Sequence, residues 1–133
     1  MNLLDSLFAT ARAAQSNAYA PYSGFKVGAA VRATTGNIYG GCNVENAAYP
    51  VGICAEAAAI AAMVCAGADR ISDILVLGEG DAHVTPCGAC RQRIMEFATA
   101  TTRIHVAGPD GVRGSFGMDE LLPHGFGRKN LGV

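Results

Sequence analysis

The first element that the hydrophobic pattern predicts is an amphipathic helix near the start of the chain. Apolar residues recur there at the spacing of one helix face, namely Leu3, Leu4, Leu7, Phe8 and Ala11. Asn2 precedes them and can cap the first turn with its side chain. Because proline cannot continue a helix, we expect this element to end before Pro21.

A β-hairpin is predicted next. From Phe25 to Val31 apolar positions alternate with Lys26, Gly28 and Ala30, which is the period of a strand with one buried face. Residues 34–37 contain turn-forming side chains, and a second strand follows at Ile38–Cys42. Residues 43–52 are rich in Asn and contain proline and glycine, so we expect a loop whose polar side chains are candidates for ligand binding.

Two apolar segments lie at the centre of the chain. Residues 57–68 carry no charge, and a helix that is apolar on all sides must be covered by other protein on most of them. Gly67 is the expected end of this helix. Residues 74–77 form a short continuous apolar run, which indicates a central strand covered on both faces, and a loop is expected at residues 78–85.

The last third of the chain predicts a helix that begins at Pro86. It buries one set of side chains, Cys90, Ile94, Phe97 and Ala98, while Arg93 and Glu96 face outward. Strands are expected at residues 103–107 and 112–118, a short helix at 119–122 and a loose tail at 123–133. This order of elements implies a three-layer α/β/α sandwich on a mixed sheet, formed by residues 1–133 as a single domain.

Composition limits the classes of function. The 133 residues are 50% hydrophobic, which is enough for one packed core. A net charge of −1 lacks the basic surface of a nucleic-acid-binding protein, so we expect no nucleic acid partner. Five cysteines, an odd number, argue against a disulfide framework, and residues 1–17 resemble neither a signal peptide nor a membrane span. We therefore expect a cytoplasmic protein with no membrane partner.

Three cysteines and one glutamate lie at the N-terminal ends of two predicted helices. Cys54 and Glu56 precede the charge-free helix, and Cys87 and Cys90 open the next one. The positive end of a helix dipole favours thiolates. Three thiolates can hold Zn²⁺ and leave its fourth position open to water, as in a catalytic site. That water ionises near neutral pH, and Glu56 is close enough in sequence to move its protons.

Two other interpretations of these cysteines remain open. Cys87 and Cys90 alone also fit a thioredoxin-like redox pair, although such a pair has no use for Cys54 and Glu56. A structural zinc would need a fourth ligand, for which the candidates are Cys42, Cys65, His83, His105 and His124. We interpret the two cysteines of this set as buried core residues and its three histidines as ordinary strand or loop residues.

The spacing Cys54-x-Glu56…Pro86-Cys87-x-x-Cys90 is similar to the H-x-E…P-C-x-x-C pattern of zinc deaminases, with cysteine in place of the histidine. Further likeness lies in YSGFKVGAA (residues 22–30), GCNVENAAYP (41–50), CGACRQ (87–92) and LLP (121–123). The chain therefore resembles the small cytidine deaminases over nearly its whole length. This resemblance implies a five-stranded core and a homotetramer with sites at subunit interfaces, and Phe126 is our candidate for the residue lent to a neighbour.

The resemblance also implies an activity, the hydrolytic deamination of cytidine and 2′-deoxycytidine to uridine and 2′-deoxyuridine in pyrimidine salvage. Zinc-bound hydroxide would attack C4, Glu56 would carry protons, and ammonia would leave. The closest alternative is a deaminase for another cytosine-containing molecule, such as blasticidin S. The segment Asn43-Val44-Glu45-Asn46 favours ordinary nucleosides.

Several residues are expected to bind the nucleoside. The resemblance implies that Asn43 and Glu45 hold the ribose hydroxyls, and a carboxylate is a suitable acceptor for two hydroxyl groups. It also implies that Phe25 packs on the pyrimidine, and we expect backbone groups near Ala55 and Pro86 to contact the base. In the less specific interpretation, Phe25 is a core residue and Asn43 and Glu45 are turn residues.

The chain departs from the family at one position. Family members often carry arginine directly after the glutamate, whereas this chain has Ala57. Arg91 is the nearest cation in sequence and could hydrogen-bond a thiolate, which would tune the zinc electrostatically. Its alternative is a solvated surface arginine.

Overall fold

The structure is a computed structural model that describes residues 1–133. One sheet contains five strands, β1 (Gly28–Ala33), β2 (Ile38–Cys42), β3 (Ile71–Leu77), β4 (Ala98–Gly108) and β5 (Gly111–Gly117). Their spatial order is β2-β1-β3-β4-β5. The pair β3 and β4 is parallel and the other neighbours are antiparallel, so the predicted mixed five-stranded sheet is confirmed.

Helices cover both faces of this sheet. They are α1 (Leu3–Ser16), α2 (Ala55–Cys65), α3 (Gly88–Phe97) and the short α4 (Met118–Leu121), with 3₁₀ turns at Tyr49–Val51 and Arg128–Leu131. On one face, Leu7 and Ala11 of α1 pack on Leu75 and Leu77. On the other face, side chains of α2, α3 and α4 pack on the sheet, which gives the predicted three layers. No helix has the length and apolar character needed to cross a membrane.

Two glycines allow helices to pack directly on strands. A Cβ atom on Gly28 of β1 would overlap the carbonyl oxygen of Ala11 in α1. A Cβ atom on Gly41 of β2 would overlap the backbone of α2 at Ala55 and Ala59. Because only glycine lacks that carbon, both approaches depend on it. The contact at Gly41 fixes the first turn of α2, which carries Glu56, against the end of β2.

The strands differ in length from their predicted bounds. β1 begins at Gly28 rather than Phe25, because a side chain takes the place of a partner strand. Val27 N donates to Asn43 Oδ1 at 2.9 Å, and Asn43 Nδ2 donates to the carbonyl oxygen of Phe25 at 2.9 Å. β3 and β4 begin earlier than predicted, at Ile71 and Ala98, where polar residues interrupt the apolar pattern.

Three other expectations were wrong. The predicted loose tail contains the 3₁₀ turn Arg128–Leu131, and Gln92 Nε2 donates to the carbonyl oxygen of Phe126 at 2.8 Å. Cys65, expected in the core, is exposed at the end of α2. The helix predicted to begin at Pro86 begins at Gly88, with Cys87 as its N-cap.

Candidate active site

The sulfur atoms of Cys54, Cys87 and Cys90 all lie within 4.8 Å of one another. Cys54 is the N-cap residue of α2 and Cys87 is the N-cap residue of α3, while Cys90 lies in the first turn of α3. The two N-cap positions therefore bring the Cys54 and Cys87 thiols to the starts of two helices. The structure thus brings together the three cysteines that the sequence proposed as one cluster.

The donor set fits a zinc ion with an open position. Three cysteine sulfurs supply three of the four ligands of tetrahedral Zn²⁺. No histidine, further cysteine or carboxylate belongs to the cluster, so none of the residues considered as a fourth ligand joins it. The fourth position is left for water or substrate, which is the arrangement of catalytic rather than structural zinc sites.

The protonation of the three thiols differs from the uniform expectation for helix N-termini. Hydrogen bonding from the Cys90 backbone N–H is the main cause that lowers the pKa of Cys87. Burial raises the pKa of Cys54 and of Cys90, and the nearby Glu56 carboxylate adds to both increases. Desolvation is therefore the largest influence on the pKa at two of the three cysteines. A bound Zn²⁺ would reverse this balance, because coordination deprotonates thiols.

Glu56 lies beside this cluster in the first turn of α2. Its residue surface is 5% exposed, and burial raises the pKa of its carboxyl group. A carboxyl group whose pKa is raised toward neutrality can both take and return a proton. The structure therefore provides a buried proton carrier two residues from the first metal ligand.

A cavity of about 580 Å³ opens onto Cys54, Cys87 and Glu56. Asn43 and Glu45 also line it, as the sequence proposed for a binding loop. The lining also includes Tyr22 and Tyr49, whose rings meet edge to face with centroids 5.9 Å apart. These two tyrosines were not singled out from the sequence, although both lie in segments that carry the family resemblance.

Asn43 and Glu45 also organise the cavity wall. The side-chain amide of Asn43 holds the backbone of Phe25 and Val27, as described above. Glu45 Oε1 accepts hydrogen bonds from Tyr22 N at 2.9 Å and Ser23 N at 3.1 Å, and Oε2 accepts one from Ser23 Oγ. The Ser23 hydroxyl is the main cause that lowers the pKa of Glu45. The carboxylate therefore remains ionised and keeps acceptor capacity for a further donor.

The structure does not bring every proposed binding residue to the cavity. Phe25, Ala55 and Phe126 are absent from its lining. Val27 lines the cavity, whereas Phe25 is 38% exposed outside it. Ala55, the first residue of α2, is fully buried, and Phe126 is 57% exposed on the surface.

Arg91 does not contact a cysteine. Its Nε donates to Pro86 O at 2.8 Å, Nη1 to Leu121 O at 2.8 Å and Nη2 to Thr85 Oγ1 at 3.2 Å. The expected thiolate contact is made instead by Arg93, whose Nη1 lies 3.4 Å from Cys90 Sγ. The sequence placed Arg93 on the outward face, and its exposed position agrees, but its guanidinium reaches back to the sulfur.

A second polar cluster lies outside the cavity, on the sheet face that carries α1. His105 is 6% exposed, its Nε2 is 2.8 Å from Asp73 Oδ2, and its Nδ1 is 2.6 Å from Ser115 Oγ. His105 is a strand residue outside the metal cluster, as expected, and it is also buried and bonded on both ring nitrogens. Its position in the strand alternation could have indicated burial, but not its partners.

Comparison with known proteins gives matches along most of the chain. A family model described as the cytidine and deoxycytidylate deaminase zinc-binding region matches residues 1–106. A cytidine deaminase of Sporosarcina psychrophila is 38% identical over 128 residues, which cover 96% of this chain and 94% of that protein. The match to a zinc-binding region, together with the three clustered sulfurs, confirms the predicted zinc cofactor.

Solved structures agree with these matches. The crystal structure of cytidine deaminase from Burkholderia pseudomallei has a TM-score of 0.87 and 40% identity, covering 95% of this chain and 100% of that one. The structure of cytidine deaminase from Mycobacterium tuberculosis has a TM-score of 0.81 and 34% identity, covering 96% and 99%. The likeness thus includes the sheet, both helix layers and the segments that line the cavity.

Proposed function

Because the chain belongs to the cytidine and deoxycytidylate deaminase family, we propose that it catalyses the zinc-dependent hydrolysis of cytidine and 2′-deoxycytidine to uridine and 2′-deoxyuridine. The observation that carries this proposal is the cluster of three cysteine sulfurs within 4.8 Å of one another, beside the buried Glu56. A redox pair would use two of these sulfurs and would leave Cys54 and Glu56 without a role. We assign the reaction to pyrimidine salvage in the cytoplasm.

The reaction needs a nucleophile and a path for protons. Zn²⁺ held by Cys54, Cys87 and Cys90 would supply an ionised water at neutral pH. Glu56 accepts one proton of the attacking water and passes it to N3 of the ring as C4 becomes tetrahedral. It then moves the proton of the new C4 hydroxyl group to the leaving amine, so that the C4–N bond breaks and ammonia is released. Water adds and ammonia leaves, so the overall reaction consumes one water for each cytidine. The burial that raises the pKa of Glu56 suits it to hold the proton between these steps.

The loop after β2 is the segment proposed to bind the ribose of the nucleoside. Asn43 and Glu45 line the same cavity as Glu56, and the Glu45 carboxylate has acceptor capacity beyond its three bonds to Tyr22 and Ser23. Ala55 lies between the first metal ligand and Glu56, which suits its backbone for contact with the base. For Phe25, packing on the pyrimidine would require its side chain to turn into the cavity, where Val27 now lies.

We propose that the sites lie at interfaces of a homotetramer. The rim of the cavity includes exposed apolar side chains, among them Tyr22 at 50%, Tyr49 at 75% and Ile53 at 46% exposure. A nucleoside bound there would keep one side in water unless another chain covered it. Phe126, which is exposed and outside its own cavity, is the candidate residue that a neighbour lends.

The test is a spectrophotometric assay of zinc-loaded protein with cytidine, 2′-deoxycytidine and free cytosine. We expect loss of the cytosine absorbance with both nucleosides and little turnover of the free base. Glu56→Gln should retain zinc and lose activity by about 10²–10⁴-fold, because glutamine cannot carry a proton. Cys87→Ala should lose zinc, whereas Glu96→Gln, which changes an exposed glutamate of α3, should resemble the parent.

Three outcomes would contradict the proposal. A fully zinc-loaded parent that leaves cytidine unchanged is not a cytidine deaminase. Equal turnover of cytosine and cytidine would exclude a sugar site. A near-normal rate in Glu56→Gln would remove Glu56 from the proton path.

A further inference from the structure

The cluster of cysteines concentrates negative charge in a partly buried place. Three thiolates and one Zn²⁺ carry a net charge of −1, and the Glu56 carboxylate lies beside them at 5% exposure. Negative charge on sulfur is donated to the metal and makes it a weaker electrophile. A site of this composition works better when a cation or hydrogen-bond donor withdraws part of that charge.

Two arginines of α3, Arg91 and Arg93, are near enough in sequence to act as this cation. Their hydrogen-bond partners show which of them contacts a cysteine. All three of the bonds that Arg91 makes go to oxygen atoms, of Thr85, Pro86 and Leu121. These bonds tie the start of α3 to the loop before it and to the end of α4. Arg91 thus holds backbone together and has no contact with a sulfur.

Arg93 makes the contact that Arg91 lacks. Its Nη1 lies 3.4 Å from Cys90 Sγ, a hydrogen-bond distance for a sulfur acceptor. Residues three apart on a helix lie on the same side, so α3 itself brings the guanidinium back over the cysteine. Cys90 is fully buried, whereas Cys87 is exposed and Cys54 is half-buried. Cys90 is therefore the ligand least accessible to water, and the Arg93 guanidinium provides the hydrogen bond that water cannot provide to its sulfur.

We propose that Arg93 is a positioning residue of the zinc site, which acts through Cys90 by withdrawing electron density from its sulfur. This inference rests on the proposed deaminase function for its effect on turnover, and on the contact at Cys90 Sγ for its effect on the metal. The guanidinium keeps the metal electrophilic without touching metal or substrate. Because Ala57 carries no charge, the cation beside the cysteine ligands comes from Arg93 of α3.

The test compares Arg93→Gln and Arg93→Lys with the parent and with Arg70→Gln, which removes a partly exposed arginine directly before β3. Each protein is loaded with Zn²⁺ for kinetics and with Co²⁺ for spectroscopy. In Arg93→Gln we expect a thiolate-to-cobalt charge-transfer band at longer wavelength, because a sulfur without its donor gives up an electron more easily. We also expect a loss of about tenfold in kcat with KM nearly unchanged, the lower range for a hydrogen bond to a charged group.

The control variants give the proposal its sharpest test. Arg93→Lys keeps the charge and one donor, so both band and kcat should return toward parent values, and Arg70→Gln should match the parent. An unmoved band in Arg93→Gln with one metal per chain would overturn the proposal. Equal defects in both Arg93 variants with lost metal would make Arg93 a structural residue instead. A parent inactive on cytidine would refute the deaminase function, while the cobalt band would still report on the contact.

Discussion

Glu45 connects the turn before β1 to the cavity through a single carboxylate. Two backbone N–H groups and one hydroxyl, from Tyr22 and Ser23, donate to its two oxygens. An ionised carboxylate offers about four acceptor sites, so one remains for a ligand. The same side chain can therefore shape the wall of the cavity and bind a sugar hydroxyl, and the two roles need separate variants to be distinguished.

Glu45→Ala should lower kcat/KM for cytidine by about ten- to a hundredfold, since a hydrogen bond to a charged group contributes about 1.5–3 kcal/mol. Zinc content should not change. Ser23→Ala is the matched control, because it removes a bond within the turn and leaves the carboxylate in place. Steady-state kinetics on both variants, with the metal content measured, make the comparison. Equal losses in the two variants would mean that Glu45 only holds the turn.

The sequence predicted which side chains cluster where metal binding requires a particular spacing of ligands. Cys54, Cys87 and Cys90 cluster as proposed, since two helix starts at one end of the sheet bring them together. Proximity in sequence did not identify the arginine that contacts the Cys90 sulfur, which is Arg93 and not Arg91. Arg91 follows Cys90 directly and so points about 100° around the helix, whereas a residue three positions on returns to the same side.

At the scale of elements, the sheet is joined across three strands by one buried histidine. Asp73 of β3, His105 of β4 and Ser115 of β5 lie on the same face, where β3 pairs with β4 and β4 with β5. Both ring nitrogens of His105 are bonded, one to each neighbour. The apolar pattern predicted a strand here. The hydrogen-bond partners of His105 depend on which strands pair with β4, and the sequence of one strand does not contain that information.

Asp73→Ala should lower the free energy of unfolding by about 1–3 kcal/mol, because it leaves a buried ring nitrogen of His105 without a partner. Asp69→Ala is the control, as it removes an exposed aspartate from the loop before β3. Urea unfolding of both variants, each in the zinc-loaded form, measures the difference. If the two midpoints coincide, the cluster contributes no net stability to the sheet.

For the whole molecule, the main question is what covers the outer side of α2. The absence of charge from residues 57–68 predicted that protein would cover most of this helix beyond Glu56. The chain covers one side, with Ala55, Ala59 and Met63 fully buried, but leaves Val64 at 45% exposure and Cys65 exposed. The sequence could not decide between cover by this chain and cover by another, since either satisfies an apolar side chain. Apolar residues are exposed both at the end of α2 and at the cavity rim, which agrees with the proposed cover by another copy of this chain.

Val64→Glu tests this assembly, because a charge in a buried interface costs several kcal/mol when it has no partner. We expect light scattering of the parent to give about four times the chain mass of 13.6 kDa, and that of Val64→Glu to give smaller species. If neighbours complete the cavity through Phe126, activity should fall in proportion to dissociation. Val112→Glu places the same charge on an exposed valine of β5, at 38% exposure, and should leave both mass and activity unchanged. A parent that is monomeric and fully active would show that each chain completes its own site, and that the exposed side of α2 serves another purpose.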